Sequence, residues 1–164
     1  MTLPAAQAFW FLPFVLPIGL WVAWSDLKFM KIPNKAVYAL TAVFVVVGLI
    51  AVPLADYPWR LLHLVVVLVV GFGLNVAGAL GAGDAKFAAA MAPFIPLADA
   101  RAFLMLLAAV LLAAFVTHRA ARALPALRAH TGDWTSWRRN DFPMGLALGP
   151  ALVFYLALAA ASGL

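Results

Sequence analysis

The stretch Gly81-Ala82-Gly83-Asp84-Ala85-Lys86 interrupts two strongly apolar runs and places a carboxylate between them. An acid at the centre of a membrane helix costs about 2.5–3.5 kcal/mol by insertion scales, so its presence in such a setting points to a function. The small residues before it leave space for another backbone to approach. A second acid, Asp26, stands at the end of an earlier apolar run.

Around that stretch, the 164 residues are 67% hydrophobic and only 10% charged, with a mean hydropathy of +1.05. This composition is too apolar for a soluble domain. It predicts an all-α, polytopic membrane helix bundle with about six transmembrane helices, forming a single membrane-embedded domain over 1–164. The net charge is +5. The basic residues lie between apolar spans, which argues for orientation and contact with lipid headgroups rather than for nucleic acid. There is no cysteine, which excludes disulfides, thiolate metal sites and a cysteine nucleophile. There is no glutamate either, so acid chemistry must come from Asp26, Asp56, Asp84, Asp99, Asp133 and Asp141.

Residues 5–24 match the ~20 residues that a bilayer core requires. Pro13 and Pro17 are expected to kink this helix, and Trp21 and Trp24 suit its interfacial end. The run lacks a basic start and continues too far for a signal peptide, so it reads as a retained span. Ile32-Pro33-Asn34 should end one helix and begin the next. Further spans are expected at 36–52, 61–80, 87–100, 102–117 and 143–162. The fourth, with Pro93 and Pro96, is short for a crossing. The glycines at 48, 71, 73, 78, 145 and 149 read as helix-packing positions.

Six spans place alternate loops on opposite sides. Segments 25–35, 81–86 and 118–142 carry nine basic residues, from Lys28 to Arg139, and the other side carries only Arg60 and Arg101. The richer side should be cytoplasmic. Asp26 and Asp84 then share that face, while Asp56 and Asp99 lie opposite. His63 falls on the other side from His118 and His130, so the three do not make one metal site. Two carboxylates ~4 Å apart at an effective dielectric of 20 repel by about 4 kcal/mol. Such a pair can hold one shared proton near neutral pH, so that one carboxyl activates water and the other donates to a carbonyl oxygen. That chemistry requires no metal and no organic cofactor.

Asp26 with Ile32-Pro33-Asn34 behind it, and Gly81-x-Gly83-Asp84-x-Lys86 later, resemble the two signature motifs of the prepilin peptidase family. These GxGD-type aspartic proteases cleave leaders from type IV pilin-like precursors. Phe142-Pro143-Met144-Gly145 is similar to the start of the family's last helix. The resemblance implies that Asp26 and Asp84 are the catalytic pair and that Pro33 and Asn34 belong to the first motif. It further implies that Gly81 and Gly83 shape the backbone beside Asp84, and that Lys86 tunes its charge or meets substrate. It implies a precursor substrate with a basic leader and an apolar helix, cleaved at the cytoplasmic face of the cell membrane, the inner membrane in a Gram-negative cell. A chain that starts just before its first span and lacks a cysteine cluster resembles the peptidase-only members that serve tight-adherence (Flp-type) pili. A basic cytoplasmic surface is an unexpected receptor for a basic leader, unless the loop 118–142 lies on anionic lipid.

Each residue has a plainer reading. Asp84 would serve as a helix N-cap, and Asp26 as an interfacial acid beside Lys28 or Lys31. Asp133 and Asp141 would balance Arg138 and Arg139, and Trp134 and Trp137 would anchor the interface. Pro150-Ala151-Leu152 matches a motif of presenilin-like proteases, but inside the last span, and reads as chance. The competing functions are a small transporter or proton-coupled channel, and a non-catalytic pilus assembly subunit. A proton relay would spread acids through the membrane depth, whereas here they gather at the ends.

Overall fold

Apolar runs between Pro- and Gly-containing breaks determine the element order in the computed structural model, which describes residues 1–163. The helices are α1 (Ala5–Phe29), α2 (Asn34–Ala51), α3 (Tyr57–Val76), α4 (Ala82–Met91), α5 (Ala100–Ala123), α6 (Pro125–Thr131), α7 (Thr135–Arg138) and α8 (Gly145–Ala161). Two 3-10 turns, Ala92–Phe94 and Leu97–Asp99, join α4 to α5. The protein is an all-α helical bundle. Helices α1, α2, α3 and the segment Leu97–Ala123 are long and apolar enough to cross a membrane, and α8 is a shorter apolar helix.

Several boundaries differ from those expected. Helix α1 continues through Pro13 and Pro17 and past Trp24 to Phe29, so Asp26 lies within its last turns rather than after it. It stops at Met30, whose left-handed backbone (φ 54°) lets its N–H donate to the Asp26 carbonyl at 2.9 Å. The fourth apolar run starts earlier, at Ala82, and is not one span-length helix. Its α-helix ends at Met91 and gives way to 3-10 turns at Pro93 and Pro96, because proline cannot donate to the helical ladder. Helix α5 runs on to Ala123, drawing His118, Arg119 and Arg122 out of the expected loop.

The core forms where α1 packs along α8, with α2 and α4 closing one side and α5 the other. Phe11, Phe44 and Phe94 meet there, with ring centroids 4.9–5.7 Å apart. Many large apolar side chains of α1, α2, α3 and α5 instead face outward, among them Val69, Phe72 and Leu112. Such a continuous apolar exterior belongs in lipid. Close approach explains only some of the glycines. A Cβ on Gly149 would meet the Gly19 carbonyl oxygen, and one on Gly71 would lie 3.1 Å from the Ala85 Cβ. Gly73 has open space around it, and Gly78 is a turn residue at φ 75° rather than a packing position.

The loop 118–142 is folded back onto α5. Trp137 is buried, stacks on His118 (5.2 Å) and on Trp134 (5.9 Å), and donates its Nε1–H to Thr131. These tryptophans therefore staple a loop, since their rings find partners within the protein. Arg138 pairs with Asp133 and Arg139 with Asp141, as charge balance predicted.

Asp99 has a role that its sequence context did not reveal. It is buried at the start of α5 and accepts hydrogen bonds from the Thr2 N–H (2.7 and 2.8 Å), the Leu3 N–H (3.0 Å) and the Tyr155 O–H (2.7 Å). It thus ties the chain's beginning to α8. Removing the acid strands three donors, of which the Leu3 N–H and the Tyr155 O–H are buried and each cost about 1–3 kcal/mol when left unpaired. Asp99→Ala should therefore lower stability by about 3 kcal/mol and Tyr155→Phe by about 1 kcal/mol, measured by reversible unfolding in mixed micelles. A loss below about 0.5 kcal/mol for Asp99→Ala would show that this latch carries no stability.

Candidate active site

Asp26 and Asp84 line one cavity of about 720 Å³, at the end of the bundle opposite Asp99. The distance between the two ends follows from α1. Thr2 and Leu3 precede the helix at the Asp99 end, and Asp26 lies twenty-one residues after Ala5, about 30 Å at the helical rise. This is close to the thickness of a bilayer core.

Asp26 is carried by the last turns of α1 and is only 5% exposed. Its Oδ2 accepts the Gly145 N–H at 2.7 Å. Gly145 opens α8, whose first amide groups have no partner within the helix. The acid thus satisfies a helix N-terminus and gains a fixed orientation from it. Glycine is required here by proximity, since a Cβ on Gly145 would lie 2.9 Å from the Asp26 Cβ and 3.1 Å from its Oδ2. Sequence reasoning gave Gly145 only a packing role. An amide donor leaves no mark on residue identity, apart from the glycine that permits the approach.

Asp84 is the third residue of α4, and Gly81 holds the cap position. The plain N-cap reading therefore assigns the wrong residue to that position, although an acid in the first turn is favoured by the helix dipole. A Cβ on Gly81 would stand 2.5 Å from the Asp84 Oδ2, so the glycine makes room for the carboxylate itself. Gly83 faces the α1–α2 turn, where a Cβ would stand in ordinary contact with Ile32 at 3.4 Å. Ile32 also lines the cavity. That turn is closed by the Ser25 hydroxyl, which donates to the Lys31 carbonyl at 2.9 Å. The rest of the wall is the Gly78–Leu80 turn and the approach to α8, with Arg139, Asp141, Phe142 and Met144.

Gly81 and Gly83 join the two acids around the cavity, whereas Pro33, Asn34 and Lys86 do not line it. Pro33 caps α2 and Asn34 begins it, so their part is to turn the chain. Lys86 is exposed and makes no ion pair among the described residues. No group of three or more histidines or acids among the described residues could hold a metal ion.

The Asp84 carboxyl lies outside the four spanning segments. Burial raises its pKa first and the nearby Asp26 charge adds to this, against a backbone hydrogen bond at Gly81, leaving it at about 6. The folded protein therefore holds a proton at Asp84 that the unfolded chain releases near 4. This contribution to stability is fully present below that pH and is lost as the pH rises through about 6.

A helical membrane protein with two acids facing one cavity at the end of its bundle is the class that fold and site define. The sequence model of the type IV leader peptidase family matches residues 13–118, more than half of the chain, and the chain belongs to that family. No curated protein and no solved structure matches it. Membership makes a peptidase of the chain, and both acids fall within the matched residues.

If the two acids sense one another, Asp26→Asn removes one of the causes that raise Asp84. Its ionisation midpoint should then fall below about 6, read from the protonated-carboxyl infrared band across a pH titration. An unchanged midpoint would show that the charges do not interact.

Proposed function

We propose that this protein is an intramembrane aspartic endopeptidase that removes the basic leader from type IV pilin-like precursors at the cytoplasmic face of the membrane. The observation that carries the reading is the shared cavity of Asp26 and Asp84, with a proton retained at Asp84 up to about pH 6. In this reading Asp26 takes a proton from the attacking water, and Asp84 gives its proton to the scissile carbonyl oxygen. The tetrahedral intermediate then collapses with proton transfer to the leaving amine. The Gly145 N–H keeps the Asp26 carboxylate aimed into the cavity.

Charge supports the choice of substrate. The cytoplasmic loops are basic, but the cavity wall holds Asp26, Asp84 and Asp141 against Lys31 and Arg139, and Arg139 is already paired with Asp141. A basic leader thus meets the Asp26 and Asp84 pair, which shares one proton and keeps a negative charge, inside a basic rim that suits anionic lipid. A transporter would require polar groups between the two ends of the bundle, where Phe11, Phe44 and Phe94 pack instead. The excess of basic residues on the cavity side favours the cytoplasm for that face, with all six apolar segments traversing or entering the bilayer.

Asp26→Asn and Asp84→Asn should each lower cleavage of a prepilin in membranes by about 10²–10⁴-fold, the usual contribution of a positioned acid or base. Full cleavage by either variant would end this assignment. The wild-type rate should fall as the pH rises through about 6 and Asp84 loses its proton. Gly81→Ala should cut the rate while leaving thermal stability unchanged, since the added methyl meets only the movable end of the Asp84 side chain. A stability loss that matched the loss of rate would make Gly81 a folding residue instead.

A further inference from the structure

A second cavity, of about 620 Å³, opens sideways between α3 and α5. Helix α3 packs on α4 and α5 packs on α8, so the two outer helices stand apart and leave a gap. Val66 lines one wall, Leu104 and Leu107 line the other, and Ala88, Met91 and Leu148 form the floor. The groove is apolar and faces the part of the exterior assigned above to lipid.

Its position relative to the acids identifies what it holds. Asp84 lines the polar cavity, and Ala88, one turn further along α4, lines the groove. Met144 lines the polar cavity, and Leu148, one turn further along α8, lines the groove. Both helices thus pass from one compartment to the other within about 6 Å. On α4 the positions 84, 88 and 91 share one face, so the carboxylate and the groove floor look the same way. An apolar ligand in the groove therefore has its end presented to Asp84.

We propose that this groove docks the apolar helix of the peptidase's own substrate, with the polar leader entering the acid-lined cavity one turn away. The inference rests on the peptidase reading given above and adds where the substrate's membrane segment lies. Three observations select this occupant over a lipid chain or a second copy. The groove begins one helical turn from the acid-lined cavity on both α4 and α8, and the acids in that cavity complement a basic leader. The third is direction. The groove lies deeper than Asp84, so a docked helix has its N-terminal end at the cavity, where a leader must be. Two outward-facing wall residues, Val66 and Leu104, then act as specificity determinants for the membrane segment.

The test uses the full chain in liposomes and a synthetic precursor in which a Lys-rich leader is joined to an apolar helix of about 20 residues. A second peptide carries the leader and cleavage site without the helix. A photo-crosslinking residue at position 104 should capture the precursor's apolar segment, and the same residue at Val116, outside the groove on α5, should not. Val66→Trp/Leu104→Trp should lower kcat/KM for the precursor relative to the short peptide by about tenfold, mainly through KM. Val116→Trp should leave that ratio unchanged. Cross-links from position 104 only to lipid or to a second copy of the chain would overturn the proposal. So would a precursor-to-peptide ratio unchanged by the groove variant. Capture of the precursor by a wild type that cleaves neither peptide would keep the docking and sink the peptidase reading. Normal cleavage without capture would do the reverse.

Discussion

A carboxylate at the edge of a bilayer must find a hydrogen-bond donor, and here the backbone of the last helix supplies it. The Gly145 N–H bound to Asp26 at 2.7 Å is the contact on which the site's geometry depends. It requires α1 and α8 to lie nearly backbone to backbone, and Gly19, Gly145 and Gly149 make that approach possible. In a membrane, where lipid is as apolar as the side chains, close packing of small residues is a principal force holding helices together. The same seam therefore builds the bundle and orients the acid.

Helix α8 holds an acid near each end. At one end its first amide donates to Asp26, and near the other the Tyr155 hydroxyl donates to Asp99, which also collects the amides of Thr2 and Leu3. The two acids differ in freedom. Asp99 is saturated by four hydrogen bonds from three residues and lines neither of the two cavities described, so its role is structural. Asp26 receives one and faces 720 Å³ of open volume shared with Asp84. An acid with unused acceptor capacity beside another acid is suited to chemistry, whereas one with its capacity filled is suited to fastening.

Much of this arrangement could be read from residue order, and the exceptions have physical causes. Apolar runs and the asymmetry of lysine and arginine brought Asp26 and Asp84 to one end before any coordinates, because span length and charge act on whole segments. The short α4 was foreshadowed by Pro93 and Pro96, but its start at Ala82 was not, since Gly81-Ala82-Gly83 has weak helix propensity and is held by α3 and the α1–α2 turn. Gly78 looked like a packing glycine and proved to be a left-handed turn. Composition alone does not distinguish those uses. Trp137 and His118 lay nineteen residues apart in an apparently polar loop, and only their stacking shows that the loop is folded. Asp99 was the largest omission, because its donors are backbone amides ninety-six and ninety-seven residues away.

The family match ends at residue 118, before α8 begins, yet the geometry around Asp26 is completed by α8. This division has a physical logic. The two cavity acids come from α1 and α4 and fall within the matched residues, so their identity is visible in a sequence pattern. What α8 adds is an amide and the absence of a side chain, which many sequences can provide around a single glycine. The aspartates alone would be one buried and one half-buried acid with no fixed aim. With the first turn of α8 in place, one is anchored from the backbone. The other is set by the glycine-bared start of α4, and the cavity between them acquires a fixed geometry.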